Sequence, residues 1–199
     1  NATIHKGKIY VRDMFNLYRF ENMLYTMEFS GAEIKGALEE SYRIWTNQMH
    51  TADDHLLLIE ERKNGSWSFL YPSFNFDSAA GILYTVDVTK PEGEKITIKS
   101  LADGRPFEMS KKYKVALNSY RGNGGGELFT KGAGITQDEL KNRIISSTEK
   151  DLRFYLMEEI KQQQVIDPQP LNHWQFIPSK FIKKASAKDY KLLFPKNKK

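Results

Sequence analysis

The stretch ENMLYTMEFSGAEIKGALEESYRIW, residues 21–45, changes its hydrophobic period without a loop in between. Met23, Tyr25, Met27 and Phe29 fall on one side and Leu24, Thr26 and Glu28 on the other, a period of two that predicts a strand over 21–29. Ser30-Gly31-Ala32-Glu33 then has the capping-box pattern: the serine side chain accepts the N3 amide and the glutamate reaches back to the cap. Ile34, Leu38, Tyr42 and Trp45 follow at helical spacing, so an amphipathic helix is predicted over 31–45. Any fold for this chain must hold both sheet and helix.

ILYTVDV (82–88) and KITIK (95–99) read as strands joined by the turn TKPEGE, and ADGRP (102–106) is a turn leading to a strand at YKVALNS (113–119). Short turns favour a mixed, largely antiparallel sheet packed with helices, an α+β class, over a doubly wound sheet. The second half reads as helical. Thr136 to Glu139 is another capping box, predicting a short helix through Ile144 and Ile145. A longer helix is expected over 147–164, starting at Ser147 or Thr148 and stopped by DPQP at 167–170. LNHWQFIPSKFIKK reads as an irregular extension. The sequence thus divides into a domain over 3–135 and a helical C-terminal extension with a basic tail over 136–199, packed on the same domain.

Hydrophobic residues make up 40% of the chain, enough for a core, and no apolar run approaches the length of a membrane span. The absence of cysteine excludes disulfides, zinc ribbons and thiol catalysis within this sequence. Residues 178–199 carry eight lysines against one aspartate, which leaves the remainder at about −2 of the +5 total. The body is therefore not a basic surface, the tail reads as a solvated end, and no nucleic-acid partner is expected. The first residues lack the zones of a signal peptide and begin abruptly, so the chain reads as a piece of a longer polypeptide.

The four histidines offer little chemistry. His50 and His55, with Asp53 and Asp54 between them, fit a solvated polar connection better than a metal site, and no HxxxH or HExxH spacing occurs. There is no G-x-S-x-G elbow, and Glu39-Glu40 and Glu158-Glu159 fit exposed helix faces. Nothing here breaks a bond unaided. The residue cluster that stands out is SYRGNGGGELF, residues 119–129, with four glycines in the five positions 122–126. It lacks the lysine and hydroxyl of a P-loop and does not match G-x-G-x-x-G. Two readings stay open: a flexible turn, or a loop whose backbone approaches a flat ligand beside Tyr120. Glycine costs chain entropy, which close approach offsets. Phe20, between Arg19 and Glu21, is open in the same way between core residue and ligand platform.

Three ordered blocks carry a resemblance: RDMFNLYRFENMLYTMEFSGAEIKGALEES, FNFDSAAGILYTVDVTKPEGEKITI and YKVALNSYRGNGGGELF. Over roughly residues 7–135 they resemble the C-terminal domain of the 5'-nucleotidase family, which includes UDP-sugar hydrolases and 2',3'-cyclic-nucleotide phosphodiesterases. FNFDSAAGILYTVDVTKP and SYRGNGGG look most like the cyclic-nucleotide phosphodiesterase branch. The resemblance implies a nucleoside-binding domain whose base lies between two aromatic rings, here Phe20 and Tyr120. Gly122, Gly124 and Gly125 would give backbone approach, and Asn118 and Asn123 polar contacts. It also implies that no cofactor is held in this chain and that two divalent metal ions sit in a separate N-terminal metallophosphoesterase domain of the same polypeptide. Nucleotides or nucleosides are the implied partners, and a periplasmic or cell-surface location the implied setting. The sequence departs from the family at the loop's end: Gly126 stands where many members have an aspartate for the ribose hydroxyls, with Glu127 next. A non-catalytic ligand-binding or docking module with the same fold is the alternative.

Overall fold

The computed structural model describes residues 3–195, which form two compact units that interleave along the sequence. One takes residues up to 29, 112–125 and 136–170; the other takes 30–111, 126–135 and 171 onward.

The first unit is built on a three-stranded sheet. Its middle strand, β1 (Met23–Ser30), follows the short helix α1 (Val11–Leu17) and is flanked by β6 (Lys112–Asn118) and β7 (Ile144–Asp151). The alternation read at 21–29 is realised, since Met27 and Phe29 are fully buried. β7 runs antiparallel to β1, with Tyr25 opposite Ser147 and Met27 opposite Ile144. Here the structure corrects the sequence reading twice. The capping box at Thr136 opens a helix, α5 (Gln137–Asn142), but that helix stops before Ile144 and Ile145, which begin β7. The helix expected from Ser147 or Thr148 begins only at Leu152: Asp151 ends the strand and its carboxylate accepts the Phe154 N–H at 2.9 Å, opening α6 (Leu152–Gln163).

The second unit opens with α2 (Gly31–Trp45), whose bounds match the predicted helix. Ser30 Oγ accepts the Glu33 amide at 3.2 Å and Glu33 accepts the Ser30 amide at 2.7 Å, closing the predicted capping box. A small antiparallel pair, β2 (Ile59–Glu61) with β3 (Trp67–Phe69), precedes β4 (Ile82–Asp87) and β5 (Ile96–Leu101), which pair antiparallel. The segment read as irregular supplies β8 (Trp174–Ile177), parallel to β4, and α7 (Ser179–Leu193). The mixed, largely antiparallel α+β class is the one adopted. No helix among the described residues is long and apolar enough to cross a membrane.

The core of this unit gathers on β4. Leu38, Tyr42, Ile82, Tyr84, Val86 and Ile96 are buried together, with Trp45, Trp174 and Phe176 packed around them. Tyr42 is fully buried, stacks on Trp45 with ring centroids 5.4 Å apart, and meets the edges of Trp174 and Phe176. Its hydroxyl lies 3.0 Å from that of Tyr84, so neither phenol is left without a partner. α4 (Leu128–Gly132) lies across α2 at a glycine pair: a Cβ on Gly36 would sit 2.2 Å from the Gly132 carbonyl oxygen, and one on Gly132 2.3 Å from that of Gly36.

Buried charges complete the unit. Glu39 accepts the amides of Lys95 and Ile96 at 3.0 and 2.9 Å, holding the start of β5. The Lys95 ammonium donates to the carbonyls of Thr46 and Asn47 and to Thr46 Oγ1, all within 3.0 Å. Desolvation lowers its pKa to about 8 from the ordinary 10.5, against the pull of Glu92 and Glu39. The tail read as solvated is a helix with a buried inner face. Ala185 packs with Met49, Leu56 and Val88, and the fully buried Asp189 carboxylate accepts the Leu56 and Leu57 amides, each at 2.9 Å.

These contacts set three outcomes. Tyr42→Ala, which empties the aromatic cluster, should cost about 3–5 kcal/mol in urea unfolding. Gly36→Ala should destabilise by about 1–3 kcal/mol, because α2 and α4 must separate to admit the methyl. The unfolded chain binds the Lys95 proton up to pH 10.5 while the folded one releases it near 8, so this lysine makes stability rise with pH between those values. Tyr42 and Tyr84 act oppositely above pH 10, since burial raises both phenols. Urea midpoints across pH 7–11 should show the rise, and Lys95→Met should remove it.

Candidate functional site

The residues singled out in the sequence lie in the first unit, where β6 leaves its sheet. At the end of that strand the Asn118 side chain accepts the Arg121 N–H at 2.9 Å and so caps the helical turn α3 (Ser119–Gly122). The other end of Asn118 donates to the Tyr18 hydroxyl at 3.3 Å, and Asn22 donates to the same oxygen at 2.8 Å. Ser119 Oγ accepts the Met23 N–H at 3.1 Å. Segments 18–23 and 118–119 are thus stitched by side chains nearly a hundred residues apart in sequence. Asn118 commits one acceptor and one donor to this framework, and Asn123 is exposed.

Tyr120 and Phe20 are carried on these two stitched segments. Tyr120 is 39% exposed and Phe20 49% exposed, the Phe20 ring meeting Tyr18 edge-to-face at 6.2 Å. Two of the glycines behind Tyr120 make room for side chains of this unit. A Cβ at Gly125 would fall 2.5 Å from two carbons of the Tyr120 ring, and one at Gly122 would fall 2.5 Å from Tyr25 and 2.9 Å from the Met27 sulfur. Gly124 turns the chain between them with φ +89. The Arg121 guanidinium is buried, lies 5.2 Å from the centre of the Tyr120 ring, and donates to the Gly125 carbonyl at 3.0 Å. One aromatic is therefore packed against a glycine and a buried cation. Beyond the loop, Gly126 has φ +71, and the neighbouring Glu127 carboxylate pairs with Lys131 at 2.5 Å.

The residue that sequence reading missed here is Arg153. It is buried at the start of α6 and donates to the carbonyl oxygens of Tyr18 and Arg19, at 3.4 and 2.9 Å. It also pairs with Asp151 at 2.8 Å and Glu21 at 3.3 Å, and lies 4.5 Å over the Phe15 ring. This one guanidinium fixes the turn that presents Phe20. The available signal was the aspartate two residues before it, a helix cap that the continuous polar run of 147–151 obscured.

Elsewhere the polar residues do not converge. The Asp54 carboxylate accepts the backbone amides of Thr51 and His50, at 2.8 and 2.7 Å, which lowers its pKa. His55 Nδ1 bonds to Asp189, and Asp53 pairs with Lys184. Among the described residues no group of three or more histidine, aspartate or glutamate side chains is placed to hold a metal ion. A dimetal centre has no ligand set in these residues.

Residues 1–132 match the family model of the 5'-nucleotidase C-terminal domain. The chain is 29% identical over 190 residues to the trifunctional nucleotide phosphoesterase protein YfkN of Bacillus subtilis, covering 89% of this chain and 12% of that protein. It is 27% identical over 186 residues to the 2',3'-cyclic-nucleotide 2'-phosphodiesterase/3'-nucleotidase of Salmonella typhimurium, covering 88% of this chain and 27% of the relative. The chain thus spans a small part of the curated relatives it matches. A Staphylococcus aureus structure assigned as a 5'-nucleotidase shares the fold, with a TM-score of 0.61 at 21% identity over 83% of this chain and 29% of that one.

The Tyr120 support yields a direct check. Gly125→Ala should force the ring out of its place and destabilise the chain by about 1–3 kcal/mol. The Tyr120 ring signals in an NMR spectrum should move, while those of Tyr42 and Tyr84 stay.

Proposed function

Since the chain belongs to the family of 5'-nucleotidase C-terminal domains, we propose that it is the substrate-recognition domain of a bacterial nucleotide phosphohydrolase of the 5'-nucleotidase or 2',3'-cyclic-nucleotide phosphodiesterase type. The observation that carries the reading is Tyr120, half-exposed yet packed against Gly125 and the buried Arg121 guanidinium. A ring fixed in this way is a platform for a flat base. Stacking contributes roughly 1–3 kcal/mol per base and accepts any base, since each has a π-face. Phe20, on the turn held by Arg153, is the proposed second ring. Gly122, Gly124 and Gly125 shape the loop, Asn118 orders it, and exposed Asn123 offers the polar contact.

Phosphate-ester cleavage belongs in this proposal to an N-terminal metallophosphoesterase domain of the same polypeptide. Its two divalent ions supply Lewis-acid stabilisation and an activated water when bound. This chain binds and orients the nucleoside, and its described residues place no group of carboxylates and histidines for those ions. An exported setting, periplasmic or at the cell surface, is part of the same proposal. The competing reading, a docking module with the family fold, predicts no nucleoside binding at all.

Titration of the 199-residue chain with adenosine and with uridine, followed by NMR, separates the two. Two stacked faces total roughly 2–6 kcal/mol, and about 4.1 kcal/mol corresponds to a millimolar Kd. Weak binding is expected, with shifts in 118–126 and 18–22, and Tyr120→Ala should weaken it about 5- to 150-fold. Phe20→Ala tests the second ring: a loss of binding comparable with that of Tyr120→Ala assigns Phe20 to the site, and unchanged binding removes it. Silence at tens of millimolar nucleoside would sink the recognition reading. With manganese added, the chain alone should hydrolyse neither a nucleotide nor a cyclic nucleotide.

A further inference from the structure

The lysine-rich C-terminal helix has an outer face with no role in the site above. At 100° per residue, Phe181, Ile182, Ala185, Asp189 and Leu192 of α7 share the inner side, and Ala185 and Asp189 are fully buried there. Lys180, Lys183, Ala187, Tyr190 and Lys191 fall together on the opposite side, and all are exposed. Phe194, one turn past Tyr190, continues that stripe. The Tyr190 and Phe194 rings are 65% and 42% exposed and meet each other with centroids 5.1 Å apart. Lys184 and Lys188 bond to Asp53 on the flank of the helix, and the Lys180 ammonium lies 5.4 Å from the centre of the Phe181 ring while remaining exposed. The outer face is therefore a row of cations ending in two exposed aromatic rings, followed in sequence by Lys196, Lys198 and Lys199.

We propose that this face is a docking surface for an anionic lipid bilayer, with α7 lying along the headgroups. Each lysine near such a surface adds electrostatic attraction that falls off within a Debye length. Aromatic rings beside lysines on one helix face suit the boundary between headgroups and acyl chains. The 15 residues of α7 span about 22 Å at 1.5 Å per residue, a length that lies on a bilayer without crossing it. An extended nucleic acid is the less favoured polyanion. Only residues 178–199 are strongly basic, and the remainder, at about −2, offers no continuing track. The inference is independent of nucleoside binding, since none of these residues takes part in the site.

The test is co-sedimentation of the 199-residue chain with vesicles of phosphatidylcholine containing about 30% phosphatidylglycerol, and with pure phosphatidylcholine. Binding is expected to the anionic vesicles only and should fall about tenfold or more from 50 to 300 mM salt. The triple variant K180E/K183E/K191E should lose about a hundredfold in affinity. Tyr190→Ser with Phe194→Ser should weaken vesicle binding while leaving binding to a single-stranded oligonucleotide unchanged. All five positions face solvent, so circular dichroism and the thermal midpoint should be unaltered, which separates surface loss from unfolding. A chain ending at Pro195 should keep most of the binding. Equal binding to neutral vesicles, none to anionic ones, complete loss on removing 196–199, or tighter binding to the oligonucleotide than to vesicles would each overturn the proposal.

Discussion

β4 is buried along nearly its whole length, and that single constraint organises the second unit. A strand cut off from water must hydrogen-bond along both edges, because an orphaned amide or carbonyl costs about 1–3 kcal/mol. Its hairpin partner β5 satisfies one edge from sequence nearby. The other edge waits for β8, some ninety residues later, which arrives parallel and brings Trp174 and Phe176 to the Tyr42 cluster. The Tyr42 and Tyr84 hydroxyls, buried among rings, satisfy each other. The first unit solves the same problem on β1, which is flanked by β6 and by the distant β7. In both units, residues beyond the matched family segment complete the sheet.

The same economy governs the candidate site. A half-exposed aromatic binds a flat ligand well only if its rotamer is fixed before the ligand arrives, since ordering it on binding costs affinity. Tyr120 is fixed by its packing on Gly125 and by a turn that Asn118 caps. Its support reaches the Phe20 segment through the Tyr18 hydroxyl, which receives donors from Asn22 and Asn118. Arg153 then holds the main chain of Tyr18 and Arg19 from beneath. The polar residues at this location act mainly as framework, and the exposed rings are left as the chemistry. That distribution fits recognition of a base better than any bond-breaking step.

Much of the fold could be read from the residues, where local signals were strong. α2 has both a capping box and a continuous apolar stripe, and its predicted bounds hold. β4 and β5 follow from alternation around a Pro- and Gly-containing turn. β7 could not be read: IISSTEKD is mostly exposed and carries no apolar alternation, so its extended state is imposed by pairing with β1. Four-residue β8 is too short to declare itself and is a strand only because β4 has an open edge. The half-exposed state of Tyr120 was legible through the glycines beside it. Arg153 was not, because placing 147–151 in a helix moved it off the turn it supports. The pairing of Tyr42 with Tyr84 is a tertiary fact with no local signature.

Asp189 shows how one residue can set the meaning of its neighbours. In a helix rich in lysine, a lone aspartate reads as minor charge relief. Buried, it would be costly without donors, yet it receives the amides of Leu56 and Leu57 and bonds to His55 Nδ1 at 2.5 Å. An apolar residue at 189 would leave two loop amides without acceptors, so only one rotation of α7 about its axis satisfies the loop. With rotation fixed from the inside, the outside is fixed too. Lys180, Lys183, Lys191 and the Tyr190–Phe194 pair face solvent together because Asp189 faces inward, and the orientation of the basic surface is decided by its one buried acid.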